Sequence, residues 1–154
     1  MQPQSLYSHS VNPVHLLEIQ VLSQVVHQLQ SKNDIRGSIP YLAKIVQIID
    51  NQRLEKTDNR DLYFRQLNEY RKVQSRAHFD LAEAYFKIHD FILSEASFSI
   101  AVKNWEKLME HEEQAEVKEL LSKSYDYLKT CYEAMGKDQL AYFAEVKKNK
   151  LMQS

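Results

Sequence analysis

The sequence predicts an all-α fold of about six helices paired into three antiparallel hairpins. The chain of 154 residues contains only 2 Gly and 3 Pro, whereas average usage of about 7% and 5% would give roughly 18 together. Sandwiches and barrels need many tight turns with Gly or Asn at positive φ, and Rossmann and P-loop folds need several closely spaced Gly. In addition, apolar residues recur at three- and four-residue steps along most of the chain. Long helices joined by a few polar turns are the class that remains.

Six helical segments follow from this periodicity and from the polar residues that interrupt it. The predicted segments are about Val14–Gln30, Ser38–Asp50, Arg60–His89 and Asp90–Glu110, then a fifth helix that follows a weak joint at His111–Gln114 and runs to Met135, and a sixth over Asp138–Lys150. Pro40 fits the first turn of the second segment, and the polar run 51–59 is predicted to be a loop. Asp58 or Asn59 is a predicted N-cap, as is Asp90, and Gly136 is a predicted C-cap glycine.

Composition also limits the environment and the partners of the chain. Residues 1–13 have no periodic pattern and are predicted to be a flexible tail, so the helical domain is expected over 14–150. A signal peptide begins with a positively charged segment, whereas this tail contains no Lys or Arg. No stretch of the sequence approaches the ~18 consecutive apolar residues of a membrane span. With a net charge of −1 and one Cys, we expect no nucleic-acid or membrane partner and a reducing, cytoplasmic location.

A spaced motif recurs three times. In the middle copy it reads His78, Leu81, Ala82, Tyr85, Ser94, Phe98 and Ala101. Weaker copies are Leu22, Val25, Val26, Leu29, Ser38 and Leu42, and then Tyr125, Leu128, Lys129, Tyr132, Ala141 and Glu145. In all three, nine positions separate the last residue of the first half from the small residue of the second half (29 to 38, 85 to 94, 132 to 141).

This pattern resembles that of the tetratricopeptide-repeat superfamily of helical hairpins. The departures are spacings of 56 and 47 residues between corresponding positions where the family has about 34, His78 in place of Trp, Ala82 in place of Gly, and no final Pro. The resemblance implies a right-handed stack of three hairpins. The alternative is a closed helical bundle, whose apolar stripes look the same.

The resemblance further implies a concave groove lined by the first helix of each hairpin. Six positions are candidate partner-binding residues: Arg76, Phe79, Glu83, Phe86, His27 and Lys123. Two Phe flanked by Arg and Glu on one outward face form a typical hot-spot composition. The alternatives are that this long helix is buried on both sides, or that the stripe is a dimer contact. Groove positions are mostly neutral or acidic, which disfavours the carboxylate clamp of co-chaperone members of the superfamily.

The sequence carries no catalytic, cofactor or metal motif. None of the six His has a Glu three residues before it, and H-E-x-x-H is absent. Each His is therefore interpreted as a surface or packing residue. Cys131 lies in an apolar stripe with no basic neighbour and is interpreted as a buried thiol.

The expected function is a non-enzymatic protein–protein interaction module, an adaptor, scaffold or chaperone that binds a peptide or helix of a partner protein. The alternative is a helical subunit for homo-oligomerisation, for example a homodimer. An enzyme whose site is assembled only in space is the third hypothesis.

Overall fold

The computed structural model describes residues 13–111 and 114–153, and in these ranges the regular structure consists of six α-helices without a strand. The helices are α1 (Pro13–Ser31), α2 (Ile35–Asp50), α3 (Arg60–Lys87), α4 (Phe91–His111), α5 (Ala115–Ala134) and α6 (Asp138–Gln153). The predicted all-α class is thereby confirmed. The tail predicted over 1–13 lies, apart from Pro13, outside the described residues. No described helix combines the length and apolarity needed to cross a bilayer.

The end of α6 lies three residues beyond the predicted Lys150, and the start of α2 differs from its prediction by as much. The helix begins at Ile35, three residues before the predicted Ser38, because the Asp34 side chain caps it by accepting a hydrogen bond of 2.9 Å from the Gly37 N–H. A Cβ on Gly37 would collide with the Asp34 carboxylate, so the cap requires a glycine at this position. Pro40 consequently lies in the second turn of α2, not in the first.

Two predicted N-caps, Asn59 and Asp90, are confirmed. Asn59, at the end of the 51–59 loop, accepts a hydrogen bond of 3.2 Å from the Leu62 N–H at the start of α3. Asp90 accepts one of 3.2 Å from the Leu93 N–H at the start of α4. Both side chains satisfy backbone donors that have no partner inside the helix.

The three hairpin turns share one backbone geometry. Each contains a residue in the left-handed region, namely Asn33 (φ 62°), His89 (φ 64°) and Gly136 (φ 74°). The N–H of the following residue then donates to the carbonyl five residues earlier. These bonds are Asp34 to Leu29 (2.8 Å), Asp90 to Tyr85 (2.9 Å) and Lys137 to Tyr132 (2.8 Å). This is the hydrogen bonding of a Schellman C-cap.

The carbonyl acceptors of these bonds belong to Leu29, Tyr85 and Tyr132. These are the residues at which the nine-position spacing of the sequence motif begins. Four positions after each donor lies a buried small residue, Ser38, Ser94 or Ala141. In the middle hairpin the Ser94 hydroxyl donates a 2.9 Å hydrogen bond to the Ala82 carbonyl across the two helices. The sequence motif therefore marks three turns of equivalent structure, each followed by a close contact between its two helices.

The helices pack mainly on their neighbours in the chain, and α3 is shared between two cores. The first core joins α1 and α2 to one face of α3, on which Val73, Ala77 and Leu81 are buried. The second core joins the other face of α3, including Phe79 and Ala82, to α4, α5 and α6. Besides these sequential pairs, α3 also contacts α5.

A polar network connects α2, α3 and α4 beside the first core. The His78 ring lies with Nε2 at 3.1 Å from both carboxylate oxygens of Asp50, and the Gln74 amide donates to Asp50 at 2.9 Å. Asn104 of α4 donates to Gln74 at 2.9 Å. Burial of Asp50 favours its neutral form, but hydrogen bonds from His78 and Gln74 outweigh this and lower its pKa. His78 is thus a packing residue with a structural partner.

Gly136→Ala is expected to lower the free energy of unfolding by about 1 kcal/mol, because Ala is strained at the positive φ of this turn. Lys137→Ala, at the exposed neighbouring position, is the control and is expected to change the free energy of unfolding little. Urea unfolding followed by circular dichroism measures both. Equal stabilities of the two variants would contradict the structural role assigned to Gly136.

Candidate protein-binding groove

Four of the six candidate residues follow one another on α3, but they do not form an open stripe. The Phe79 side chain is only 1% exposed. Its ring lies 5.5 Å from that of Phe98 and 5.4 Å from that of Trp105, both on α4. The expectation that Phe79 faces outward is therefore corrected. The position of Phe79 agrees with the alternative interpretation, in which the long helix is buried on both sides.

Tyr127 of α5 covers the C-terminal part of this stripe. Its hydroxyl donates to Glu83 at 2.8 Å, and its ring lies 4.8 Å from the ring of the half-buried Phe86. The same ring stacks on Phe98 at 4.6 Å with an interplanar angle of 14°. Burial and the neighbouring Glu83 carboxylate, which accepts the hydrogen bond, raise the pKa of Tyr127 to about 12. Glu83 and Phe86 thus contact α5.

The N-terminal part of the stripe remains open. Arg76 borders a cavity of about 420 Å³ between α3, α4 and the start of α5. Its lining residues are Lys72, Arg76, Trp105, Gln114, Glu116, Val117 and Leu120. A second cavity of about 450 Å³ shares Lys72 and Gln114 with the first and extends along α3 to Leu62. We call the two cavities together the α3 groove.

Two cationic side chains of the groove, Arg76 and Lys72, have partners on α3 itself. The Arg76 guanidinium lies 5.5 Å from the centre of the Phe79 ring, and its Nε lies 3.2 Å from an Asp80 carboxylate oxygen. One turn earlier, Lys72 Nζ lies 3.5 Å from Glu69. The Phe79 ring attracts the guanidinium, because a cation is attracted to the face of an aromatic ring. The buried Phe79 therefore positions Arg76.

Asp80 is the carboxylate most affected by these surroundings. Although 39% of its side chain is exposed, desolvation by the surrounding protein raises its pKa to about 6, with Arg76 opposing the shift and Glu83 adding to it. The Arg76–Asp80 pair consequently changes charge within a range of pH close to neutral.

The remaining two candidates lie apart from the α3 groove. His27 is exposed on α1 and Lys123 is exposed on α5, and neither lines the two cavities. The groove residues that the sequence did not indicate are Lys72, Trp105, Val117 and Leu120. Lys72 precedes Arg76 by one helical turn and could have been found from that spacing, whereas Trp105, Val117 and Leu120 join it through tertiary packing.

No group of three or more His, Cys, Asp or Glu side chains that could hold a metal ion occurs among residues 13–111 and 114–153. Cys131 is fully buried, as predicted. Burial is the largest influence on its thiol and raises its pKa, with a hydrogen bond to Ser94 opposing the shift. The thiol therefore stays protonated at neutral pH.

Comparison of the chain with protein-family models, with curated proteins and with solved structures finds no match.

Phe79→Ala is expected to lower the free energy of unfolding by about 3–5 kcal/mol, because it removes a fully buried ring from the second core. Phe64→Ala is the matched control, since Phe64 lies on the same helix but is 51% exposed. Its effect is expected to stay within about 0.5 kcal/mol. Chemical denaturation of both variants measures the difference. Similar losses in the two variants would contradict the burial of Phe79.

Asp80→Asn is expected to gain stability relative to the parent chain as the pH rises. The folded-state pKa of about 6 exceeds the value of about 3.9 for an unfolded Asp. Between these values the folded state retains a proton that the unfolded chain has lost, so ionisation of Asp80 weakens the parent fold. The stability difference between variant and parent should grow from about pH 4 to about pH 6.5 and then level off. Urea unfolding across this range measures it, and a difference that shrinks with pH would refute the shift.

Proposed function

We propose that this chain is a protein–protein interaction module, an adaptor, scaffold or chaperone, that binds a segment of a partner protein in the α3 groove. The observation that supports this proposal is the composition of the groove. Trp105, Val117 and Leu120 give it an apolar part, and Lys72 and Arg76 place two cationic side chains on one wall. Concave sites with an apolar lining and a few oriented polar groups are typical binding sites.

The partner segment that fits this groove carries an apolar side chain close to a carboxylate. The apolar side chain would occupy the cavity beside Val117 and Leu120. The carboxylate would approach Lys72 and Arg76, and the planar guanidinium of Arg76 offers it a bidentate contact. Arg is enriched among the residues that dominate binding energies, together with aromatic residues that pack around it.

Pre-organisation supports Arg76 as the principal contact. Its guanidinium is held against the Phe79 ring and beside Asp80 before any partner arrives. A side chain already ordered in the free protein loses less conformational entropy on binding. The role of Phe79 in this mechanism is indirect, since its ring supports Arg76 from within the second core. The original expectation of direct anchoring by Phe79 is replaced by this indirect role.

The test begins with selection of binding peptides from a displayed library of random segments, with the full chain as the target. We expect enriched peptides to combine apolar residues with Asp or Glu. Combined Lys72→Ala and Arg76→Ala substitutions should then weaken their binding at least about tenfold, the equivalent of 1.4 kcal/mol. Titration calorimetry or fluorescence anisotropy measures the dissociation constants.

Arg36→Ala combined with Lys87→Ala is the matched control, because both residues are exposed cations that do not line the α3 groove. The control removes the same net charge and should leave peptide affinity within about twofold, since distant exposed charges are screened by salt. Equal weakening by the two double variants would show only a general charge effect. Failure to enrich any peptide would refute the proposal.

A further inference from the structure

The Arg76–Asp80 pair lies at the edge of the α3 groove, with the cation in the lining of a cavity and the carboxylate outside it. Arg76 borders the cavity of about 420 Å³, and Asp80 is not among the lining residues. The Asp80 carboxylate lies 3.2 Å from Arg76 Nε. This arrangement leaves the two terminal nitrogens of the guanidinium to a bound carboxylate. Asp80 therefore affects a bound segment by its charge and through Arg76, not by contact.

We propose that Asp80 determines how strongly the α3 groove prefers an anionic partner segment, because its ionised carboxylate compensates the charge of Arg76. This inference rests on the proposed function and concerns the same site. An ionised Asp80 offsets the positive charge of the guanidinium and repels a second carboxylate that binds beside it. An uncharged Asp80 still accepts a hydrogen bond from the Arg76 Nε–H and leaves the charge of the guanidinium to the partner. Asp80 is thus a positioning residue whose charge sets the specificity.

The surroundings of Asp80 let its charge change close to neutral pH. Removal from water is the largest influence and raises its pKa to about 6, while Arg76 opposes this shift and Glu83 adds to it. A carboxylate bound at Arg76 places a further negative charge beside Asp80 and should raise its pKa again. Binding of an anionic segment at slightly acidic pH should therefore take up protons, and its affinity should rise as the pH falls.

Other ionisable groups lie around this part of α3, on each of the helices packed against it. They are Glu83 of α3 with Tyr127 and Glu116 of α5, His111 of α4, and Asp50 of α2 with its partner His78. The Asp50–His78 contact is on another side of α3, because His78 lies about 200° around the helix from Asp80. His111 lines the α3 groove and attracts a carboxylate when it is protonated. Substitution of Asp80 leaves all these groups in place, so a comparison with the parent chain isolates its contribution.

A matched pair of peptides tests the proposal on the full chain. One is a peptide enriched by selection on the parent chain, and the other carries Asn or Gln in place of its Asp or Glu. At about pH 7.5, the affinity ratio of the acidic to the neutral peptide should be at least about threefold higher in Asp80→Asn than in the parent chain. In the parent chain this ratio should rise as the pH falls to about 5.5, where the acidic peptide is still ionised. The rise should be smaller in Asp80→Asn, and fluorescence anisotropy measures it.

Proton uptake provides a second measurement that a purely structural role of Asp80 would not change. Titration calorimetry in buffers of different ionisation enthalpy counts the protons taken up on binding. At about pH 6.5, the parent chain should take up more protons with the acidic peptide than with the neutral one, because the bound carboxylate favours protonated Asp80. This excess should be smaller in Asp80→Asn, in which only His111 and the other unchanged groups can contribute.

Two further variants serve as controls. Asp58→Asn removes an exposed carboxylate of the 51–59 loop that does not line the α3 groove. It should leave the affinity ratio and its pH dependence as in the parent chain, since distant exposed charges are screened. Asp80→Ala removes the hydrogen-bond acceptor together with the charge, so it should bind the acidic peptide less tightly than Asp80→Asn does. Circular dichroism checks that all variants remain helical.

Equal affinity ratios in the parent chain and in Asp80→Asn at about pH 7.5 would overturn the proposal, as would an equal rise of the ratio with falling pH in both. In these cases the combined Lys72→Ala and Arg76→Ala substitutions would still weaken peptide binding, so the proposed function would stand. A selection that enriches no peptide, by contrast, refutes the proposed function and this inference with it.

Discussion

Burial of α3 on two opposite faces is the constraint on which the rest of the structure depends. Val73, Ala77 and Leu81 hold the first two helices, while Phe79 and Ala82 hold the last three. Few positions on the middle turns of α3 are left for solvent, and charged residues such as Lys72, Arg76 and Asp80 occupy them. The α3 groove therefore results from this packing, because it lies where the start of α5 leaves one side of α3 uncovered.

Features that depend on local interactions could be predicted from the sequence. The hairpin turns, the Asn59 and Asp90 caps and the C-cap at Gly136 all arise from bonds between residues a few positions apart. The predicted start of α2 at Ser38 is wrong because the Asp34 side chain caps the helix earlier and requires Gly37. The motif positions His78, Leu81 and Ala82 of α3 are all buried.

Periodicity could not show that the second apolar face of α3 is interior. An outward stripe of Phe and a stripe covered by other helices have the same spacing, and only the positions of Phe98 and Trp105 on α4 and of Tyr127 on α5 distinguish them. For the same reason Trp105 and Leu120 could not be assigned to the groove, because they reach it from other helices. The candidates Arg76 and Lys123 occupy corresponding positions in the motif, yet only Arg76 lines the groove.

The nine-residue loop from Asn51 to Asn59 also has a consequence for the dynamics of the chain. The first two helices form an arm that packs on a single face of α3 and is tethered by this loop. Opening of the arm breaks the first core and the Asp50–His78 contact, while the second core still holds the other face of α3. We therefore expect two levels of cooperative unfolding, in which the arm detaches first. Because a detached arm is complementary to the vacated face of α3 on another molecule, we expect the length of this loop to influence domain swapping.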